Sequence, residues 1–428
     1  MPPSRADGAG DHALQRRTVR TLRGAQVLGS LGLASGIAVG SLLAEDLLGS
    51  ADLAGLGGTF QVLGGALIAI PMARVMAAHG RRPGLVLGHG LALVGAVVIV
   101  AAGAMRSFPL LLLGSLLFGG ATTTNNQARY AAADLAEERH RGRDLSLVVW
   151  ATTVGAVAGP NVLGPAGDLA VALGLPSLTG PFLVSFAGFV LAAAVLFTRL
   201  RPDPLLVARA REHAPGDDPA APHGSVLRGL RVARSVPAAL VGLVTVALGH
   251  ATMVSVMVMT PLHLSHGGAE LRVIGLVISI HIVGMFAFSP LVGLAVDRVG
   301  ARPVAILASA VLVVASLMAA QAPAGWSPGL ALGLFLLGLG WSGTLVSGST
   351  LLTSAVPAHE RAGVQGASEL AMGLAAGGGG ALAGLVVAQL GYAALGVGAA
   401  VVAAGIAATA ALVPHAPRRQ TARPGGVR

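Results

Sequence analysis

The chain has 428 residues, of which 54% are hydrophobic and only 11% are charged, and its formal net charge is +10. Soluble globular proteins carry about 25% charged residues, so this composition argues against a soluble enzyme, a disordered protein and a nucleic-acid-binding domain. The basic balance is instead typical of membrane proteins, whose cytoplasmic loops collect cations. All 28 basic residues are arginine and cysteine is absent, so the sequence offers no thiolate for metal binding or catalysis.

Residues 1–23 are polar and arginine-rich, and they end without a small-residue cleavage pattern. We therefore predict a cytoplasmic tail there rather than a signal peptide. Apolar runs of about 20 residues follow, each long enough to cross a hydrocarbon core of about 30 Å as a helix. The twelve predicted spans cover residues 24–45, 54–78, 84–104, 109–131, 145–165, 181–199, 236–262, 272–295, 303–320, 329–352, 363–388 and 391–413.

The arginines set the predicted orientation of these spans. With the N-terminus inside, 26 of the 28 arginines lie at or near the cytoplasmic face, in keeping with the positive-inside rule. We therefore predict a multi-pass protein of a bacterial cytoplasmic membrane with both termini in the cytoplasm. Its expected parts are the tail (1–23), a six-helix bundle (24–199), a cytoplasmic linker (200–235) with an amphipathic helix at 204–212, a second six-helix bundle (236–413) and a basic cytoplasmic tail (414–428).

The two halves of the chain resemble each other weakly at corresponding loops. The loop after span 8 contains the pattern G-x-x-x-D-R-x-G-x-R, formed by Gly293, Asp297, Arg298, Gly300 and Arg302. The loop after span 2 is likewise a tight turn in which a glycine precedes arginine and proline. A weak internal repeat of this kind is typical of transporters built from paired bundles.

This arrangement resembles the major facilitator superfamily, in which the loop pattern at 293–302 is the most recognisable motif. The resemblance extends over about residues 20–413. It implies an all-α membrane protein with twelve transmembrane helices in two six-helix bundles around a central cavity. It also implies alternating access, in which the two bundles rock about a site at the membrane midplane.

Span 5 resembles the proton-coupled drug and metabolite exporters of this superfamily. Gly155, Gly159 and Pro160 keep the G-x-x-x-G-P part of the exporter pattern, although the glycines that should follow are shifted. In span 4, Ser115 stands where those exporters carry an intramembrane arginine. A kinked, closely packed helix would also explain the glycine–proline run.

The loop after span 2 is a degraded copy of the superfamily motif. It keeps Arg81 and Arg82, but Ala77 stands where the motif has its aspartate. The resemblance gives that aspartate the role of a charge latch, facing the N-terminus of a helix in the other bundle where the helix dipole favours negative charge. We predict that an ion pair between Arg74 and Glu369 replaces the latch and holds the inner gate shut. The alternative is that Glu369 extends to the inner membrane interface without a role.

Two histidines lie near the centres of predicted spans, His250 in span 7 and His281 in span 8. An unperturbed imidazole has a pKa of about 6.5, so both residues suit proton coupling. The alternative for each is a neutral histidine that is hydrogen-bonded between helices. We predict that Glu369, His250 and His281 carry the coupling protons.

Span 4 contains a run of six polar residues from Thr122 to Gln127. Such a run should not face lipid, so it either lines a wet cavity or bonds to neighbouring helices. We favour the cavity. The residues predicted to line it are Gln26, Ser30, Thr123, Asn125, Asn126, His250, Met253, Trp341 and Thr344.

The sequence predicts a secondary active transporter rather than an enzyme, because it has no nucleotide-binding loop, no zinc-protease motif and no nucleophile elbow. We expect proton-coupled export of a small, neutral or amphipathic organic molecule across the lipid bilayer by a monomer. No cofactor, metal or nucleic-acid partner is expected. The alternatives are proton-coupled uptake of a metabolite, and a membrane-embedded enzyme or receptor on a transporter-like scaffold.

Overall fold

The computed structural model describes residues 5–48, 56–212, 225–269 and 271–413. The tail predicted at 414–428 and the middle of the predicted linker lie outside these residues. The described chain is almost entirely helical, as its apolar runs predict. The α-helices are α1 (Arg5–Leu48), α2 (Leu56–His79), α3 (Arg81–Ala104), α4 (Phe108–Ala133), α5 (Arg141–Asn161), α6 (Leu163–Ala172), α7 (Gly180–Arg199), α8 (Pro204–Glu212), α9 (Val226–Ser235), α10 (Pro237–His266), α11 (Leu271–Phe286), α12 (Ser289–Val299), α13 (Ala301–Gln321), α14 (Pro328–Ala355) and α15 (Ala358–Leu412).

Nine segments of the described chain are long and apolar enough to cross a membrane, and α5 with α6 adds a tenth across a bend of 59°. That count takes α15 as one span, although its backbone leaves the helical region at Gly391 (φ +83°) and divides it into two legs. It also omits α4, which has 26 residues but carries the polar run in its middle. Including α4 and both legs of α15 gives the twelve spans of the predicted fold.

The helices form two bundles, α1–α7 and α10–α15, which pack against each other near one end of the molecule. There α2 lies against the first leg of α15, and α5 lies against α12. The contact between α2 and α15 runs from Ala73 and Gly366 to Ala66 and Gly373, where a Cβ on Gly373 would lie 3.0 Å from the Ala66 Cβ. We call this end, where α2, α4 and α7 finish, the arginine-rich end.

The first helix begins much earlier than predicted, because α1 starts at Arg5 and includes most of the expected tail at 1–23. Val19 and Leu22 in this segment are buried. The Gln15 amide donates to the carbonyl of Ala132 at 2.8 Å and to the carboxylate of Asp144 at 2.6 Å. The segment therefore packs along the first bundle as a continuous extension of the first span.

The amphipathic helix predicted at 204–212 is α8, and part of its apolar side faces protein. Leu205 and Ala208 are buried. Arg209 donates to the carbonyls of Ala77 at 2.5 Å and Ala358 at 3.5 Å. The helix therefore bridges the end of α2 and the start of α15, which belong to different bundles.

A second linker helix, α9, was not predicted. Ser225 caps it by accepting a hydrogen bond from the Arg228 backbone N–H at 3.3 Å, and the Arg228 side chain forms an ion pair with Glu360 at 2.7 Å. A Cβ at Gly229 would overlap the Gly363 carbonyl, so glycine allows α9 to lie directly on the start of α15.

Glycines bring α2 and α4 into close contact. A Cβ at Gly64 would overlap the carbonyl of Leu116, and a Cβ at Gly119 would overlap the backbone of Gln61. In lipid, where the hydrophobic effect does not drive helices together, close backbone approach of this kind is a main source of helix association.

We expect Gly64→Ala to lower the unfolding temperature of the detergent-solubilised protein, at a cost of roughly 1–3 kcal/mol, because α2 and α4 must move apart. Gly90→Ala in α3 is the matched control, since its Cβ would meet no atom within 4 Å. Alanine is favoured over glycine in a helix by about 1 kcal/mol, so the control should be neutral or stabilising. Equal unfolding temperatures for the two variants would contradict this account.

Candidate functional site

The residues of the polar run of α4, from Thr122 to Gln127, are buried or half-buried, and they have different surroundings. Thr123 donates to the carbonyl of Gly65 at 2.6 Å and so bonds the neighbouring helix α2 rather than lining a cavity. Asn126 hydrogen-bonds the carboxylate of Glu369, which belongs to the other bundle. The run therefore serves both packing within the first bundle and contact with the second.

Arg129, just beyond this run, forms an ion pair that joins the two bundles. Its Nη2 donates to Glu369 Oε1 on α15 at 2.8 Å, and its Nε donates to Ser349 Oγ on α14 at 3.0 Å. The exposed fractions of the two charged side chains are only 2% and 4%. The neighbouring Tyr130 hydroxyl also shares a hydrogen bond with Ser368 across the junction, at 3.2 Å.

This geometry corrects the predicted pair between Arg74 and Glu369. Glu369 does pair with an arginine of the first bundle, but that residue is Arg129 on α4. Arg74 is exposed, whereas its neighbours Ala73 and Ala77 are buried. Consecutive residues of a helix are rotated by about 100°, so Arg74 cannot share the face that Ala73 turns toward α15.

A second buried network lies closer to the arginine-rich end. The Arg81 side chain is completely buried and binds Asp134 through two hydrogen bonds, at 2.7 and 3.1 Å. It also donates to Gln127 Oε1 at 3.3 Å and to Gln365 Oε1 on α15. From the other bundle, Arg361 donates to the Asp134 carbonyl at 3.3 Å. Asp134 thus lies between arginines of both bundles.

The complete copy of the loop motif makes the kind of contact that the superfamily resemblance implies. Both carboxylate oxygens of Asp297 accept backbone hydrogen bonds, from Gly142 at 2.8 Å and from Arg143 at 2.9 Å. These N–H groups belong to the first turn of α5, in the other bundle, where the helix dipole favours an anion. Gly293 lies directly against Gly142 and Ser146.

The remaining motif residues shape the turn between α12 and α13. Gly300 has a φ of +96°, which favours glycine. Arg302 donates to the carbonyls of Ala410 and Val413 at the end of α15. Arg298 is exposed. In the degraded first copy, Arg82 contributes its backbone N–H, which donates to the linker residue Asp203 at 2.7 Å.

His250 on α10 belongs to a small aromatic group. Trp341 Nε1 donates to His250 Nδ1 at 2.8 Å, so the proton of a neutral His250 is on Nε2. Phe286 packs edge-on against Trp341, with the ring centroids 5.5 Å apart. Met253 is buried in the same apolar cluster. The Thr344 hydroxyl donates to the Trp341 carbonyl at 2.9 Å, within its own helix.

His281 holds two helices of the second bundle together. Its Nδ1 donates to the Leu334 carbonyl of α14 at 2.8 Å, and the side chain is buried. A carbonyl only accepts, so the hydrogen bond fixes a proton on Nδ1. The contact matches the alternative of a histidine hydrogen-bonded between helices.

The predicted cavity residues of α1 face α5. Gln26 donates to Thr152 Oγ1 at 2.9 Å, and the Ser30 hydroxyl donates to the Gln26 carbonyl within α1. Further along, a Cβ at Gly159 would lie 2.6 Å from the Ala34 Cβ, which shows close packing of α5 against α1. Pro160, which lacks an N–H donor, follows in the last turn before the bend between α5 and α6.

Sequence reasoning missed two buried polar residues of the first bundle, Asp134 and His89. His89 on α3 stacks on Phe189 with the ring centroids 5.8 Å apart. Asn125, which was assigned to the cavity, is its neighbour, since a Cβ at Gly29 would lie within about 3 Å of both side chains. His89 could have been identified from the sequence, because it interrupts an apolar run just as His250 does.

The described residues contain no group of three or more His, Asp or Glu side chains that could hold a metal ion. What the site offers instead is a buried carboxylate, a buried guanidinium and an aromatic group, all at the junction of two bundles.

Comparisons with known proteins agree with the fold and the motif. A family profile described as Major Facilitator Superfamily matches residues 25–269 and 252–428. The chain is 39% identical over 388 residues to YdeG of Bacillus subtilis (strain 168), an uncharacterised MFS-type transporter, with 89% of this chain and 88% of that protein covered. It is 30% identical to the riboflavin transporter RfnT of Brucella anthropi, with 85% and 87% covered.

Among solved structures, a bacterial homologue of the iron transporter ferroportin in the outward-facing state matches with a TM-score of 0.73 at 15% identity, covering 92% of this chain and 99% of that one. At this identity the likeness supports the fold alone. The family match and the sequence relatives cover most of the chain, and together with the twelve spans and the loop motif they show that the protein belongs to the major facilitator superfamily of membrane transporters.

Proposed function

We propose that this transporter exports a small, neutral or amphipathic organic molecule in exchange for protons. The observation that carries the proposal is the buried Arg129–Glu369 pair, which joins the two bundles. When the bundles separate, Glu369 loses its arginine. An unpaired charge within the membrane costs about 2.5–3.5 kcal/mol on insertion scales, so the carboxylate then favours taking up a proton. Separation of the bundles and protonation of Glu369 are thereby coupled.

The positive-inside rule assigns the arginine-rich end to the cytoplasm, and with it the N-terminus. Because the bundles pack together at that end, we infer an outward-open state in a bacterial cytoplasmic membrane. Opening the cytoplasmic side requires the Arg129–Glu369 and Arg81–Gln365 contacts to break. These contacts therefore form the inner gate.

The chemistry of the junction supports a neutral or amphipathic substrate. Trp341 and Phe286 offer aromatic faces, and Met253 offers a soft apolar surface that adapts to different shapes. The charges of Arg129 and Glu369 neutralise each other, so the pair does not select a strongly charged ion. His250, held at Nδ1 by Trp341, has Nε2 for proton exchange.

Transport into everted membrane vesicles tests the proposal. With an acidic interior, at least one compound from a panel of dyes, antibiotics and metabolites should accumulate, and collapsing the pH gradient should release it. Glu369→Gln should keep substrate counterflow but lose the response to the gradient, because the coupling carboxylate is gone. Accumulation that ignores the gradient in the unmodified protein would exclude proton exchange.

Uptake of a planar aromatic metabolite is the second candidate. Two observations favour it, namely the aromatic group around Trp341 and the relative named as a riboflavin transporter. Riboflavin accumulation in right-side-out vesicles with an acidic exterior distinguishes the candidates, since proton-coupled uptake predicts net inward accumulation and export does not.

Alternating access itself predicts that the cysteine pair Ala66→Cys/Gly373→Cys stops transport when it is oxidised. The two Cβ atoms would lie 3.0 Å apart, close to the separation of about 3.5–4.5 Å found in disulfides. The chain has no cysteine of its own, so Ala66→Cys alone is a clean control. Dithiothreitol should restore flux. Full transport through the cross-linked protein would contradict the mechanism.

A further inference from the structure

A groove of about 740 Å³ lies between the extension of α1 and the end of α7, apart from the junction of the bundles. Four arginines line it: Arg16, Arg17 and Arg20 from α1, and Arg199 from α7. All four side chains are exposed, and no acidic side chain of the described residues lines the groove. The groove therefore concentrates positive charge where an anion has access.

The depth of the groove matches the headgroup region of a bilayer. The apolar part of α7 ends at Arg199, and Gly24 in the groove marks the start of the predicted first span. At 1.5 Å per residue, Arg20 lies about 6 Å beyond Gly24 along the helix. Headgroups occupy roughly 5–7 Å on each side of the hydrocarbon core. Arg20 and Arg199 thus fall at the level of lipid phosphates.

The opposite flank of α7 has the same character. Phe197 on α7 is 54% exposed, and the guanidinium groups of Arg82 and Arg201 lie 5.7 and 5.4 Å from its ring centroid. Arginines that cover an exposed aromatic ring in this way are typical of the boundary between acyl chains and headgroups. Val195 lies in the groove itself, one helical turn before Arg199, and adds an apolar side chain there.

We propose that the groove binds the phosphodiester headgroup of an anionic phospholipid. The guanidinium groups of Arg20 and Arg199, one on each wall, donate to the phosphate oxygens. The acyl chains lie along the apolar surface of α7 beside Val195. The bound lipid links α1 to α7 and fixes the extension of α1 at the membrane surface.

Native mass spectrometry of the full-length protein tests the proposal with three lipids of matched acyl chains. Phosphatidylglycerol and cardiolipin should remain bound at concentrations where phosphatidylcholine does not. Glycerol 3-phosphate, which carries the phosphate without the acyl chains, should not displace phosphatidylglycerol at equal concentration. Displacement by glycerol 3-phosphate, or phosphatidylcholine binding as tightly as phosphatidylglycerol, would overturn the proposal.

Two variants locate the site. Each basic residue near an anionic lipid contributes about fivefold to affinity, so Arg20→Gln/Arg199→Gln should weaken phosphatidylglycerol binding about 25-fold. The matched control is Arg231→Gln/Arg234→Gln, which removes two exposed arginines from α9 and should leave binding unchanged.

The second variant, Gly24→Phe, keeps every charge and fills the groove, since a Cβ there meets no atom within 4 Å. It should also weaken binding. Equal affinities for the groove variants and the α9 control would overturn the assignment, provided that their unfolding temperatures without lipid agree.

Discussion

Replacing Arg129 with methionine is expected to lower the free energy of unfolding by about 3–5 kcal/mol, because Glu369 would remain buried without its partner. The two side chains are 2% and 4% exposed, and their charged atoms lie 2.8 Å apart across the junction. Proton-driven transport should fall to background in the same variant, since Glu369 would hold a proton in every state. Thermal unfolding in detergent measures the first effect, and everted vesicles measure the second.

Arg74→Met is the matched control for this prediction. Arg74 is exposed at the same end of the first bundle, so its loss should change stability by no more than about 0.5 kcal/mol. The double variant Arg129→Met/Glu369→Met should regain most of the lost stability, because apolar residues can replace a buried ion pair at little cost. It should not regain proton coupling. Equal unfolding temperatures for Arg129→Met and Arg74→Met would show that the buried pair has no energetic role.

The sequence identified Glu369 as the acid of an ion pair between bundles but assigned the wrong arginine. The information to avoid the error was present, because Ala66, Ala69, Ala73 and Ala77 are spaced three and four apart and form one stripe of α2. Small residues on a stripe mark the packing face of a membrane helix. Arg74 lies off that stripe, and the structure shows that the stripe faces α15.

The packing of the N-terminal segment also could not be predicted from the sequence. Its charge predicts a tail, yet Gln15, Thr18, Val19 and Leu22 are buried and follow the spacing of one helical face. The segment is so rich in polar residues that its composition alone does not indicate this buried helical face. Whether such a face packs on protein depends on what lies beside it, and that depends on the tertiary arrangement of α4 and α5.

The degraded loop motif could be recognised from Ala77, but what replaces it could not be predicted. In the second copy, Asp297 caps the first turn of α5 with its carboxylate. In the first copy, Arg209 of the linker instead bonds the carbonyls of Ala77 and Ala358. The Asp297 contact places a carboxylate at a helix N-terminus, whereas the Arg209 contact places a guanidinium at backbone carbonyls. The linker therefore takes part in closing the arginine-rich end, as well as connecting the bundles.

Asp134 could not have been identified from its surroundings in the sequence. It follows the polar part of α4 and precedes a run of charged residues, and this context predicts a solvated loop. One of its contacts comes from Arg361, which is 227 positions away along the chain. Only the packing of the two bundles brings the residues together, and for that reason the side chain is a sensitive probe of the inner gate.

Asp134→Ala should destabilise the protein by about 3–5 kcal/mol, because it leaves the buried guanidinium of Arg81 without its carboxylate. Arg361, which donates to the Asp134 carbonyl from the other bundle at 3.3 Å, loses a nearby negative charge as well. Asp46→Ala is the matched control, since Asp46 forms an exposed pair with Arg106 at 3.4 Å. Exposed pairs contribute no more than about 1 kcal/mol, so the unfolding temperatures of the two variants should differ clearly.

The same substitution should also shift the conformational balance, because the network that it breaks joins the two bundles only when the arginine-rich end is closed. A cysteine placed at Ala69, which is buried in that contact, reports the shift through its rate of alkylation, and the absence of native cysteine makes the signal specific. Asp134→Asn, which keeps the shape of the side chain, should raise the alkylation rate with less unfolding than Asp134→Ala. If alkylation of the Asp134→Asn protein stays at the unmodified rate, the network stabilises the first bundle alone and the inner gate depends on Arg129 and Glu369.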